Sequence, residues 1–144
     1  LKIIVDTCIW SLAFRKKSFT ADPTVMLLQE LIKESRVQML GPIRQEILSG
    51  IKLDKDFEKL STALRSFQDF NLISEDYEHA ARLFNLCRRN GIQGSNTDFL
   101  ICSISERYDM AIFTYDIDFK RYQKYFKINL IDVSTGKPVP SYHA

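Results

Sequence analysis

The sequence predicts an α/β domain: a mostly parallel sheet of four to five strands flanked by helices on both faces. Three observations lead there. Short apolar runs, KIIVD (2–6), VQML (37–40), MAIFT (110–114) and INLIDV (128–133), read as buried strands. Longer segments with apolar residues at helical spacing lie between them. Strands that alternate with helices need crossover connections, which make neighbouring strands parallel.

Taken in order, KIIVD is β-branched and apolar, as a strand covered on both faces must be. Residues 7–21 receive no element. Asp22 and Pro23 offer an N-cap and a first helical position for PTVMLLQELIKES. VQML is the second strand, Gly41-Pro42 punctuates, and PIRQEILSG is a short helix closed by Gly50. Asp54 is placed to cap DFEKLSTALRSF, whose Phe57, Leu60, Leu64 and Phe67 share a face. FNLI (70–73) reads as a brief strand, and Ser74 as an imperfect cap for YEHAARLFNLCRRN, which ends at Gly91. The loop GIQGSN leads into the helix TDFLICSISERY; the strand MAIFT, the helix DFKRYQKYF and the strand INLIDV follow. With no repeat, linker or low-complexity tract, residues 1–133 are expected to form one domain and 134–144 a tail.

The 144 residues, 45% hydrophobic and 26% charged, suit one domain with a single core. No apolar run is long enough to span a membrane and no signal-peptide arrangement opens the chain, so a cytoplasmic location is expected. Cys8, Cys87 and Cys102 are odd in number and sit among apolar neighbours, as buried thiols rather than a disulfide framework. The net charge is +2. Were several acids gathered in one pocket, the remaining surface would be basic, which suits a polyanion held near metal ions.

The acids carry the functional argument. Asp6 ends the first strand and Asp116 follows the MAIFT strand, and ligands of open parallel sheets bind beyond the carboxyl ends of strands. Asp98 lies in the first turn of its helix, where the backbone dipole favours an anion. Glu46, flanked by Ile47 and Leu48, is expected to be semi-buried. Carboxylates brought together raise one another's pKa, and hard divalent cations such as Mg²⁺ or Mn²⁺ relieve the repulsion. Taken singly, Asp98 also fits a helix-start acid, Asp116 a cap for the helix near Ile117, and Glu46 a solvated acid. Asp6 has no evident capping duty.

In chain order, IIVDTCIW, RQEILSG, NTDFLICSIS and FTYDIDF resemble the four acidic motifs of the PIN domain family, most closely its VapC-like toxins. The similarity runs from about residue 2 to 133. The resemblance implies a PIN-like fold and a Mg²⁺- or Mn²⁺-dependent ribonuclease. It assigns Asp6, Glu46, Asp98 and Asp116 as the acids of the site, with Asp6, Asp98 and Asp116 as metal ligands. Thr7 and Thr114 match hydroxyl positions beside the first and last acids, and Asp118 a more variable auxiliary one. The family commonly carries alanines where this chain has ICSIS, yet Cys102 and Ser105 are still small. The implied products have 5′-phosphate and 3′-hydroxyl ends, the implied partner is a small antitoxin, and a homodimer is expected.

Other residues read mainly as structure: Trp10 as core or interface, with Leu12 and Phe14 as core or a groove for a partner helix. Arg15, Lys16 and Lys17 either grip RNA phosphates or form a solvated basic run. Only His79 and His143 are present and neither adjoins a motif, so metal-free acid–base cleavage lacks its usual residue. Rival readings are a PIN nuclease of RNA processing without an antitoxin, a phospho-receiver, and a scaffold with a dead site. A receiver needs adjacent acids after the first strand, where this chain has Thr7 and Cys8; a dead site does not need all four acids.

Overall fold

A computed structural model describes residues 1–15 and 21–141. Five strands, β1 (Ile3–Val5), β2 (Val37–Gln38), β3 (Ala111–Phe113), β4 (Leu130–Asp132) and β5 (Lys137–Val139), form one sheet in the order β2-β1-β3-β4-β5. The first four run parallel and β5 pairs antiparallel with β4, so the expected α/β class and mostly parallel sheet hold. Around the sheet lie α1 (Thr7–Arg15), α2 (Pro23–Lys33), α3 (Gly41–Leu48), α4 (Asp54–Leu64), α5 (Ser74–Arg89), α6 (Asn96–Tyr108) and α7 (Asp118–Tyr122).

The centre of the sheet is the driest part. Every residue of β1 and β3 is at most 1% exposed, although successive side chains point to opposite faces. Both faces of these strands are therefore covered. Each large apolar side chain buried in this way contributes about 1.5–3 kcal/mol.

Asp22 caps α2 by accepting from the Thr24 N–H at 2.8 Å, with Pro23 at the first position, as expected. Three sequence readings need correction. Residues 7–15, left unassigned, form α1; Ile9, Trp10, Ala13 and Phe14 recur at helical spacing and face the core. FNLI is not a strand: the only ladder contact is a single bridge between Met39 and Asp69, and the Ile73 N–H is taken by the Asp76 carboxylate at 2.9 Å. That bond also opens α5, so Asp76 performs the cap expected of Ser74. The stretch read as a tail contains β5, held by three register pairs against β4. Lesser differences are that α4 begins at Asp54 itself and that α7 ends at Tyr122 before a run of turns.

The helix pair α5–α6 is fastened by polar groups. Asp76 is 0% exposed and accepts from Arg107 Nε at 2.8 Å and the Tyr108 hydroxyl at 2.9 Å, while Ser103 Oγ donates to the Asp76 carbonyl at 2.7 Å. Burial opposes the charge on Asp76, but the bonds from Ile73, Arg107 and Tyr108 outweigh it and hold its carboxyl below the usual 3.8. Ser103, in the stretch where the family's alanines were expected, is thus a lock between helices. His79 is half-buried against Glu106 at 2.7 Å.

Asp76→Ala should cost about 3 kcal/mol, the low end for a broken buried pair because Arg107 remains partly solvated. At this chain length that lowers Tm by roughly 10 °C. Because the folded pKa is depressed, the contribution is present above 3.8 and lost as pH falls through the folded value. Melting curves of the wild type and Asp76→Ala should therefore converge in acid, and a gap that persists unchanged at pH 2 contradicts the assignment.

Candidate active site

The register of the central strands builds the site. Val5 pairs with Phe113, so the residues that follow, Asp6 and Thr114, emerge side by side at the carboxyl edge. The Asp6 N–H continues the ladder to the Phe113 carbonyl at 2.9 Å. Its side chain is then held at both oxygens: Oδ1 accepts from the Thr7 N–H at 2.8 Å and Oδ2 from the Thr114 hydroxyl at 2.8 Å. The Asp6 carbonyl accepts from the Ile9 N–H at 3.0 Å, so Asp6 does open a helix, contrary to the sequence reading.

From this pair the contacts run outward in two directions. Thr114 Oγ1 accepts from the Asp116 N–H at 3.0 Å, and Asp116 Oδ1 accepts from the Asp118 N–H at 2.9 Å at the start of α7. On the other side the Thr7 hydroxyl donates to Glu46 Oε1 at 2.7 Å. Glu46 is exposed rather than semi-buried, because Ile43 and Ile47 point the buried stripe of α3 away from it. Arg44, on the same helix, pins α3 through Asp69 at 2.9 Å and the Leu64 carbonyl at 2.9 Å.

Asp98 enters from α6. Ser95 caps that helix by accepting from the Asp98 N–H at 3.0 Å, and Asp98 Oδ2 accepts from the Tyr122 hydroxyl at 2.8 Å. Burial pushes the Asp98 carboxyl up, the Tyr122 and Ser95 bonds pull it down, and the nearby Asp116 charge adds to a net rise. Asp6 behaves alike: burial raises it, the Thr114 and Thr7 bonds lower it, and the Asp98 charge raises it again. Asp98 is thus joined to Asp6 and Asp116 through their fields.

Six of the residues expected at the site, Asp6, Thr7, Glu46, Thr114, Asp116 and Asp118, form one hydrogen-bonded series, and Asp98 lies near enough to feel the charge of Asp116. Arg15 is exposed at the end of α1, outside that series, while Lys16 and Lys17 lie outside the described residues. Trp10 is core, with its indole N–H on the Val5 carbonyl at 3.2 Å and its ring edge-on to Phe67. Phe14 stacks on Trp10 and packs against the core, whereas Leu12 is half-buried.

Two neighbours of the acids escaped the sequence reading. Tyr122 is completely buried, and burial followed by its bond to Asp98 pushes its hydroxyl far above the ordinary value. It therefore stays a neutral donor. Gly94 makes room for it, since a methyl group there would collide with the Tyr122 ring and hydroxyl and the tip of Phe99. Cys8 was expected to be fully buried but is only partly so, with its sulfur 3.6 Å from Asp6 Oδ2 and 3.4 Å from Thr114 Oγ1. Burial raises its thiol, so it sits by the acids in neutral form. Ser95-x-x-Asp98 was a readable capping pattern. Nothing in the sequence pointed to Tyr122 or Gly94.

A divalent ion needs hard, negatively charged oxygen donors, and the carboxylates of Asp6, Asp98 and Asp116 match that chemistry. Among the described residues no three Asp, Glu, His or Cys side chains have closed into ready ligand geometry.

The model of the PIN domain family matches residues 3–125, and the chain belongs to that family, which is one of nucleases. Its fold is shared with solved structures of low sequence identity. The crystal structure of FitAcB from Neisseria gonorrhoeae superposes with a TM-score of 0.70 at 15% identity, covering 92% of this chain and 98% of that one. VapBC2 from Rickettsia felis, bound to a DNA fragment from their promoter, gives 0.68 at 21% identity over 84% and 92% of the two chains. FitAB bound to an IR36 DNA fragment gives 0.66 at 14% identity over 91% and 94%. No curated protein matches the sequence. No helix among the described residues is long and apolar enough to cross a membrane.

The raised carboxyl of Asp98 yields a stability prediction. Its folded value lies above 3.8, so its favourable contribution is complete below 3.8 and lost as pH rises through the folded value. In chelator at pH 7, Asp98→Asn should melt above the wild type, and the gap should close below pH 4. A variant that melts lower at pH 7 would show that the charge is not repelled there.

Proposed function

We propose that this chain is a divalent-metal-dependent endoribonuclease and the toxin member of a toxin–antitoxin pair. The observation that carries this reading is the pair of hydrogen bonds at the Thr114 hydroxyl, which donates to Asp6 and accepts from the Asp116 N–H, in a PIN-family chain. One hydroxyl thereby sets two acids from different strand ends relative to each other. Asp6, Asp98 and Asp116 are the residues that would hold Mg²⁺ or Mn²⁺. Such an ion, when bound, would supply the Lewis-acid charge that activates water and offsets leaving-group charge in phosphodiester hydrolysis.

The remaining roles belong to the chain itself. The Thr7 N–H on Oδ1 and the Thr114 hydroxyl on Oδ2, with the Cys8 thiol 3.6 Å from that second oxygen, fix the plane of the Asp6 carboxylate. Tyr122 does the same for one oxygen of Asp98. Glu46, held through Thr7, orients the first acid from the rim. Asp118, whose N–H restrains Asp116, is auxiliary. The antitoxin reading draws on the fold shared with FitAcB and VapBC2, which are complexes, and the acidic centre gives such a partner a place for a basic side chain. A homodimer belongs to the same reading.

Purified protein should cleave RNA with Mg²⁺ or Mn²⁺ to give 5′-phosphate and 3′-hydroxyl ends, and stop in chelator. Asp98→Asn and Asp116→Asn should each lower kcat more than about a hundredfold. Thr114→Val, which removes an orienting group, should lower it about 10–100-fold. Full activity of Asp116→Asn sinks this assignment.

Millimolar Mn²⁺ should also raise Tm, since a ligand bound only by the folded state stabilises by about 2.7 kcal/mol at a hundred times its Kd. A protein that cleaves RNA yet shows no shift has no preformed ion site.

A further inference from the structure

A groove of about 930 Å³ opens directly from the acids, with Thr114 and Asp116 at one end. Its size is near the top of the roughly 300–1,000 Å³ usual for ligand sites. Leu130 and Val139, on β4 and β5, line it on the sheet side. Tyr115 and Ile117, which flank Asp116, line it near the acids and are 52% and 63% exposed. Lys120 and Lys124 line it on the α7 side.

The chemistry of these groups is specific. Lys120 and Lys124 are four residues apart on α7 and the turn that prolongs it, so they share a face. Both are exposed, and among the described residues neither pairs with an acid, whereas Arg121 between them pairs with Asp118 at 3.4 Å. The acid on the opposite side, Asp132, is already engaged by the Ser134 N–H at 3.0 Å and hydroxyl at 2.9 Å. Gln123 ties the two sides together by donating to the Ile128 carbonyl at 2.9 Å and the Val139 carbonyl at 3.0 Å. An aromatic ring and apolar floor with a pair of free cations along one side match a base face and the phosphates beside it.

We propose that this groove binds the unpaired RNA segment next to the cleaved bond, with a base stacked on Tyr115 and the flanking phosphates on Lys120 and Lys124. The proposal rests on the nuclease reading for its substrate class and extends it. A-form duplex keeps its base faces stacked inside the helix, so the groove selects single-stranded RNA.

Binding of a short fluorescent single-stranded RNA to the full chain is measured by anisotropy in chelator, and cleavage separately with Mn²⁺. Tyr115→Ala should weaken binding about tenfold, the scale of one lost base–aromatic stack. Lys120→Gln with Lys124→Gln should lower the slope of log affinity against log salt by about 1.4, or about 0.7 per phosphate contact. Both should raise KM while leaving kcat near wild type, and Lys52→Gln with Lys55→Gln, away from the groove, should change nothing. RNA cleaved with unchanged affinity, salt slope and KM overturns the groove while the nuclease reading stands. RNA bound through these residues but never cleaved upholds the groove and overturns the nuclease reading. Equal affinity for duplex, no RNA binding at all, or loss only of binding to a protein partner each overturns the groove.

Discussion

The parallel pairing of β1 with β3 is the constraint on which the rest of the molecule depends. With Ile3, Ile4 and Val5 opposite Ala111, Ile112 and Phe113, the two strands end together, and the next residue of each is a polar group of the site. A slip of one residue would turn every side chain of β1 to the other face. The complete burial of both strands excludes that slip, because no polar side chain can be accommodated there without a partner. Packing energy spent on apolar residues thereby positions Asp6 and Thr114, which contribute little to packing themselves.

Two further elements are positioned by separate means. The α5–α6 pair, locked by Asp76 with Arg107, Tyr108 and Ser103, fixes the helix whose first turn carries Asp98. Tyr122 then ties that turn to α7, which begins beside Asp116. The acids are therefore supported by neutral donors, half-buried Thr114 and buried Tyr122, that restrain carboxylates without cancelling their charge. An arginine in either place would have neutralised the centre and removed its attraction for a cation. This is the physical sense in which the site is kept acidic.

The exposed groove beside Asp116 is of the opposite character. Lys120 and Lys124 bring positive charge along the short helix that carries Asp118 and the turn that prolongs it. An acidic centre with a cationic approach serves a polyanion whose one phosphate is to be placed among the acids. The overall charge of +2 conceals that arrangement, since the two signs are separated in space and cancel only in the sum.

What was legible in the sequence follows from local rules. The strands could be read because a strand buried on both faces must be a continuous apolar run, and the acids because they interrupt such runs at their ends. α1 was missed although Ile9, Trp10, Ala13 and Phe14 show its period, and FNLI was misread because an apolar tetrapeptide is equally a strand or a packed loop. β5 carries no apolar alternation, since an exposed edge strand need not. The central strands, the Asp22 cap and the order of the acids were thus determined by the sequence itself. The exposure of Glu46, the Tyr122 bond to Asp98, the space left by Gly94 and the lock at Asp76 were decided only by tertiary structure. Each joins residues far apart along the chain, or depends on which way a helix turns against the core, and no local pattern encodes either.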